Sequence, residues 1–66
     1  MGLFDTEKLR ALREKLGLTQ DEAAKAAGFK SRQAWNNIES GRQLPTLPTL
    51  ERIAAAVKVK PKELLK

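Results

Sequence analysis

The sequence predicts a small all-α domain that covers residues 1–66, and three features of the chain favour this fold class. Apolar residues recur at helical spacing through nearly the whole length. Helix-capping residues and helix-ending glycines alternate along the chain. The sequence contains no internal repeat, low-complexity tract or long linker. One domain built almost entirely of helices is therefore expected.

The first predicted helix spans residues 6–16, with Asp5 or Thr6 as its N-cap and Gly17 as its end. At 100° per residue its apolar side chains share one narrow stripe. That stripe consists of Leu9, Leu12 and Leu16. We expect Phe4, just before the helix, to fold back onto it.

The second helix has the clearest start signal. Thr19 and Glu22 form a capping box, in which the Thr19 hydroxyl accepts from the Glu22 amide while the Glu22 carboxylate reaches back. Gly28 ends the helix where a left-handed residue costs least. Its inner face is small and allows another helix to approach closely. The residues of that face are Ala23, Ala24 and Ala27.

The third helix spans residues 32–39, begins after Ser31 as its cap and ends at Gly41. Phe29 and Lys30 alone separate Gly28 from Ser31. Two helices joined by about four residues that include a glycine have the spacing of a helix-turn-helix. The motif is expected over about residues 19–39.

Two further helices complete the predicted fold. The fourth begins after the cap Thr46 and carries Pro48 in its first turn, where a missing amide costs little. Its expected buried face is Leu47, Leu50, Ile53, Ala54 and Val57. A short fifth helix begins at Pro61. It carries Leu64 and Leu65, which either close the core or form a contact between two copies.

The third helix has two chemically different sides. Trp35 and Ile38 lie with Ala34 on one side and are expected in the core. An arc of about 140° on the other side carries only hydrogen-bonding side chains. They are Arg32, Gln33, Asn36 and Asn37.

These polar side chains favour base recognition. Arginine pairs with guanine O6 and N7, and glutamine or asparagine pairs with adenine N6 and N7. Asparagine is a poor helix former, so two in succession indicate a functional use. The alternative is a solvated face that binds nothing.

Composition narrows the function classes. The net charge is +5 and the pI about 10, which favours a polyanionic partner. The chain has no cysteine and no histidine, which removes disulfides, the usual zinc ligands and the commonest general base. The absence of cysteine fits the cytoplasm. No apolar run is long enough to span a bilayer, and we expect no cofactor, no metal ion and no small-molecule substrate.

Taken together, these motifs resemble the Cro/C1-type helix-turn-helix family, which includes lambdoid phage repressors, restriction-modification controllers and antitoxins of the same fold. The resemblance covers about residues 9–65. It is carried by Leu18-Thr19-Gln20, Ala24, Gly28, Ser31-Arg32-Gln33-Ala34, Ile38-Glu39-Ser40-Gly41, Pro45-Thr46-Leu47 and Ile53-Ala54. One departure is the turn, where both Phe29 and Lys30 stand and the family usually has a single residue.

The resemblance implies a compact five-helix, lambda-repressor-like bundle with the third helix in the major groove. It implies DNA-backbone contacts from Gln20, Lys30, Ser31 and Arg42, and base contacts from the four polar residues of the third helix. It also implies a structural ion pair between Arg13 and Glu39. The family commonly dimerises through its C-terminal region and the part near Leu44 and Leu47.

The sequence is therefore interpreted as a transcriptional regulator, in the first place a repressor that binds a pseudo-palindromic operator as a homodimer. The alternative is a protein-interaction module of the same fold, such as an antitoxin or accessory subunit, that binds a protein through an apolar patch. An enzyme is not expected, because the acids form no convergent pair and no nucleophile has a base beside it.

Overall fold

A computed structural model describes residues 3–66, and Met1 and Gly2 lie outside it. Within these residues the helices are α1 Thr6–Lys15, α2 Gln20–Ala26, α3 Arg32–Glu39 and α4 Leu47–Ala56, followed by a 3-10 turn at Pro61–Leu64. The all-α prediction is confirmed for the described residues, but the count of five helices is not. The fifth element is a single 3-10 turn, because the chain becomes extended directly after it at Leu65.

The helix starts follow the capping chemistry of the sequence, with one exception. Asp5 accepts a hydrogen bond from the Lys8 amide at 3.0 Å. The capping box of α2 is complete, with Thr19 Oγ1 3.1 Å from the Glu22 amide and Glu22 Oε1 2.9 Å from the Thr19 amide. Ser31 occupies the N-cap position of α3, but its side chain makes no capping hydrogen bond to that helix, whose residues are all described.

The core lies between all four helices and the 3-10 turn. Its largest fully buried side chains are Trp35, Leu9, Ile53 and Leu64. Two leucines expected inside are exposed instead, Leu16 at 40% and Leu47 at 70%. Leu16 is the C-cap of α1 and Leu47 the first residue of α4, so both lie at helix ends rather than in the packed middle of a helix.

The two ends of the described chain pair with each other. Phe4 and Leu65 form an isolated antiparallel bridge. The Asp5 amide donates to the Leu64 carbonyl at 2.7 Å, and the Lys66 amide donates to the Leu3 carbonyl at 2.8 Å. This pairing buries Phe4 and places the partly exposed Leu65 beside the exposed Leu3.

Arg52 of α4 braces the turn between α2 and α3. Its Nε donates to the Ala27 carbonyl at 2.8 Å and its Nη2 to the Gly28 carbonyl at 2.6 Å. The guanidinium carbon lies 5.0 Å from the centre of the Phe29 ring, a cation–π geometry. Phe29 in turn packs at 6.2 Å, centroid to centroid, against the ring of Trp35. A residue outside the motif thus holds the longer turn in place.

Two features of this turn favour glycine at position 28. Gly28 has φ +79°, a left-handed conformation that costs other residues free energy. A Cβ at this position would lie 3.1 Å from Arg52 Nη2. The backbone conformation therefore favours glycine, and a larger residue would also push the Arg52 guanidinium aside by a few tenths of an ångström.

Replacing Arg52 with methionine should lower the free energy of unfolding by about 1.5–3 kcal/mol, the usual range for hydrogen bonds to a charged group. Methionine keeps the aliphatic stem but leaves the Ala27 and Gly28 carbonyls without their donor. Urea denaturation measures the effect, and Arg10→Met is the matched control because Arg10 is exposed on α1. Equal stability of the two variants would show that the brace contributes nothing.

Candidate functional site

The outward side of α3 carries four polar side chains that differ in how far they are exposed to solvent. Arg32 and Gln33 are exposed, whereas Asn36 and Asn37 are half-buried. Gln33 Nε2 donates to Asn37 Oδ1 at 3.0 Å, so these two amides are linked along the helix surface. On the opposite side Trp35 and Ile38 are buried, as the helical spacing predicted.

Glu39, at the end of α3, is a buried carboxylate with four hydrogen bonds. Arg13 donates twice, from Nε to Oε1 at 2.8 Å and from Nη2 to Oε2 at 3.1 Å. The Trp35 indole N–H donates to Oε1 at 2.8 Å, and Gln20 Nε2 donates to Oε2 at 3.0 Å. Arg13 Nη1 also donates to the Leu18 carbonyl at 2.8 Å. The pair expected between Arg13 and Glu39 is thus the centre of a network that joins α1, α2 and α3.

The ionised form of Glu39 is favoured in this environment. Burial by itself would raise the pKa of its carboxyl group, but the hydrogen bonds from Arg13, Trp35 and Gln20 outweigh burial, so the pKa lies below its ordinary value. The hydrogen bond to Glu39 likewise raises the pKa of Arg13, against the opposing effect of burial. Both partners therefore stay charged.

Gln20 lies between Glu39 and the outward side of α3. Its Nε2 donates to Glu39, and its Oε1 accepts from Asn36 Nδ2 at 3.3 Å. The predicted role of Gln20 was a phosphate contact, and its hydrogen bonds inside the protein are a finding of the structure. The pairing joins α2 to α3 across 16 positions of the chain, and nothing in the local sequence around either residue indicates it.

A cleft of about 310 Å³ opens where α1, α2 and α3 meet. It is lined by Thr6, Glu7, Arg10, Gln20, Asn36, Glu39 and Ser40. Arg10 is an exposed cation at this cleft and was not among the predicted site residues. Its position three residues before Arg13 on the same helix is the signal that could have identified it, since residues three apart lie on one helix face.

The other residues expected to contact a DNA backbone flank α3. Lys30 and Ser31 precede the helix, Arg42 follows it in the loop, and all three are exposed. Exposed cations therefore flank α3 in the chain, Lys30 before it and Arg42 after it. The middle of the polar side of α3 carries uncharged amides.

Among residues 3–66 no group of acidic residues is arranged to hold a metal ion. In the same part of the chain, every helix is too short or too polar to cross a membrane.

Two proteins of known sequence resemble the chain closely. The ImmF control region 10 kDa protein of Bacillus phage phi105 is 44% identical over 59 residues, which is 83% of this chain and 64% of that protein. The uncharacterized HTH-type transcriptional regulator y4dJ of Sinorhizobium fredii is 43% identical over 54 residues, 82% of this chain and 69% of that protein. The chain spans slightly less than two thirds of the phage protein.

Two solved structures share the fold. The restriction-modification controller protein C.AhdI from Aeromonas hydrophila is 30% identical, with a TM-score of 0.83 over 89% of this chain and 88% of that one. The P22 c2 repressor protein, in complex with synthetic operator 9T, is 31% identical, with a TM-score of 0.85 over 92% of this chain and 91% of that one. A family model described as a helix-turn-helix domain matches residues 6–65, and the chain belongs to that family.

Proposed function

We propose that the chain is a sequence-specific, double-stranded-DNA-binding transcriptional regulator that acts as a repressor by occupying an operator. The observation that carries the proposal is the outward side of α3, where four hydrogen-bonding side chains stand opposite a buried indole. The likeness to the P22 c2 repressor, whose solved structure contains operator DNA, supports it.

In this proposal α3 lies in the major groove and reads base edges. Arg32 pairs with guanine, and Gln33, Asn36 and Asn37 pair with adenine or with neighbouring groups. The residues at the helix ends, Lys30, Ser31 and Arg42, hold the sugar–phosphate backbone, and so does Gln20 through the second hydrogen of Nε2. The backbone contacts fix the register of α3, and the base contacts supply the sequence preference.

The proposed regulator binds as a homodimer through an apolar patch at the C-terminal end. Large apolar side chains are exposed there: Leu3 at 66%, Leu44 at 70%, Leu47 at 70% and Leu65 at 47%. Leu3, Leu44 and Leu65 also rim a groove of about 210 Å³ whose floor includes Phe4 and Leu50. A second copy covers these side chains and places two α3 helices about one DNA turn, roughly 34 Å, apart.

Selection of random duplexes by the purified chain tests function and symmetry together. We expect one enriched motif with two inverted half-sites. Enrichment of a single half-site would contradict the homodimer, and no enrichment would contradict sequence-specific binding.

Alanine at Gln33 or Asn37 should weaken binding to the selected site by about 1–3 kcal/mol and relax the preference at one base pair. Alanine at Arg42 should instead weaken selected and random duplexes alike, because a phosphate contact carries no sequence information. Fluorescence anisotropy with both duplexes measures each ratio. Since Gln33 and Asn37 share a hydrogen bond, the double variant should lose less than the sum of the single losses. The same loss on both duplexes for every variant would contradict this assignment of the reading side.

The same apolar patch also favours the alternative function, a protein-interaction module that binds an unrelated protein. A charge introduced into the patch distinguishes the two functions, because each predicts a different effect on self-association. Leu44→Glu should remove the dimer and weaken operator binding if the partner is a second copy. If the partner is another protein, the variant should leave sedimentation of the pure chain unchanged.

A further inference from the structure

A chain of side-chain hydrogen bonds links the buried Glu39 carboxylate to the outward side of α3. Gln20 Nε2 lies 3.0 Å from Glu39 Oε2, and Asn36 Nδ2 lies 3.3 Å from Gln20 Oε1. All three residues line the same cleft. We refer to Glu39, Gln20 and Asn36 as the amide relay.

The chemistry of the groups gives the amide relay one direction. An ionised carboxylate only accepts hydrogen bonds, so Gln20 must turn its amino group toward Glu39. Its carbonyl oxygen then faces Asn36. Because that oxygen also only accepts, Asn36 must turn its own amino group toward Gln20. Reversing either amide would bring two acceptors, or two donors, together.

The Glu39 carboxylate, at the inner end of the relay, is held in place by hydrogen bonds from its neighbours. Arg13 and the Trp35 indole bind the two carboxylate oxygens of Glu39 at 2.8 to 3.1 Å. The Glu39 side chain is only 5% exposed, so solvent does not compete strongly for it. Its lowered pKa agrees with an ionised, acceptor-only group at neutral pH. The buried Glu39 carboxylate therefore fixes which way the Gln20 amide is turned, and the Gln20 amide in turn fixes the Asn36 amide.

One hydrogen and one oxygen of the Asn36 amide remain for an outside partner. Of the two Nδ2 hydrogens, one is directed at Gln20. The Oδ1 atom has no hydrogen-bond donor among residues 3–66. In the major groove adenine offers a donor at N6 beside an acceptor at N7, which matches one oxygen and one N–H. Guanine offers two acceptors, O6 and N7, and would need both hydrogens.

We infer that Glu39 and Gln20 are positioning residues that restrict Asn36 to adenine and disfavour guanine at the base pair it reads. This inference rests on the proposed function, since it requires α3 to lie in the major groove. It assigns to the buried network a part in sequence preference in addition to its part in stability.

The first test compares duplex selection by the wild type and by Gln20→Met, which keeps the length of the side chain but neither donates to Glu39 nor accepts from Asn36. The base pair read by Asn36 is identified beforehand as the one whose preference is lost in Asn36→Ala. At that pair, the preference of Gln20→Met for adenine over guanine should fall about 10-fold or more, the usual value of one good amide–base pair. Preferences at the other pairs should stay. Gln43→Met, at an exposed glutamine in the loop after α3, is the matched control and should keep them all.

A uniform loss of affinity in Gln20→Met, with the adenine preference intact, would overturn the inference and leave Gln20 as a phosphate contact only. The relay itself is tested without DNA by NMR of the Asn36 side-chain amide in the wild type and in Gln20→Met. In the wild type we expect one of its two hydrogens to have a shifted resonance and slow exchange. In the variant that hydrogen should have the chemical shift and exchange rate of a solvent-exposed amide. Two hydrogens with the chemical shifts and fast exchange of a solvent-exposed asparagine amide in the wild type would show that the relay is absent. If the wild type shows the relay by NMR but selects no DNA sequence, the proposed function fails, and the assignment of Asn36 to adenine fails with it.

Discussion

Glu39→Ala should lose about 3–5 kcal/mol of folding free energy, the usual cost of removing one partner from a buried ion pair. The variant leaves the Arg13 guanidinium charged beside the core, with a side-chain exposure of 12%. It also leaves the Trp35 indole and the Gln20 amide without their acceptor. A domain of this size has a total stability of roughly 3–10 kcal/mol, so the loss removes a large share of it, and at the lower end of this range the variant is largely unfolded at 25 °C. Urea denaturation followed by Trp35 fluorescence measures the loss.

Two controls separate the buried pair from charge in general. Glu14→Ala removes an exposed acid 4.0 Å from the same guanidinium and should cost less than about 1 kcal/mol, as surface ion pairs do. The double variant Arg13→Met with Glu39→Leu removes both charges and should recover part of the loss, because an apolar pair replaces a buried ion pair at little cost. If Glu39→Ala were as stable as Glu14→Ala, the network would not hold the three helices together.

The acid limb of the stability curve gives a second measurement of the same network. The folded-state pKa of Glu39 lies below its ordinary value of 4.5. A group with a depressed folded pKa contributes its stability above the unfolded pKa and loses it as the pH falls through the folded pKa. The wild type should therefore lose stability below about pH 4.5 more steeply than the double variant, which has no carboxyl group at position 39. Parallel acid limbs would contradict the assignment.

Local signals were enough to predict the helices and the sidedness of α3. The capping box at Thr19 and the spacing of Trp35 and Ile38 depend on residues within a turn or two of each other, and the structure has both. The exposed ends of α1 and α4 were misread because periodicity assigns a face to Leu16 and Leu47 without showing where the packed body stops. The 3-10 turn was misread as a helix because its four residues satisfy the start signals of one.

Polar contacts between residues far apart in the sequence could not be predicted from local sequence patterns. Arg52 reaches Ala27 across 25 positions, and Gln20 reaches Asn36 across 16. Neither pairing has a periodic signature, since each depends on how two helices are placed in space. The Arg13–Glu39 contact spans 26 positions and was expected only through the resemblance to a family. Long-range polar contacts of this kind decide which amides and cations on α3 and its flanks are available to a partner.

DNA binding by the chain should fall about 10³-fold between 50 and 200 mM salt, because two protomers that neutralise six or more phosphates release that many counterions. The cations available for phosphate contacts lie around α3, at Arg10, Lys30 and Arg42 of each protomer, which gives six in the dimer. Anisotropy titrations at four salt concentrations give the slope of log K against log salt. Arg42→Ala should make that slope shallower by about one for each protomer bound.

Lys15→Ala is the matched control for that slope, since Lys15 is an exposed cation of α1, remote in sequence from α3 and from the apolar patch. It should leave the slope unchanged. The free energy of unfolding should stay nearly constant over the same salt range, because the Arg13–Glu39 pair is buried and poorly screened. A steep loss of binding at constant stability therefore measures phosphate contacts and not unfolding. Binding that hardly responds to salt would place the basic residues away from the DNA backbone and contradict the docking of α3.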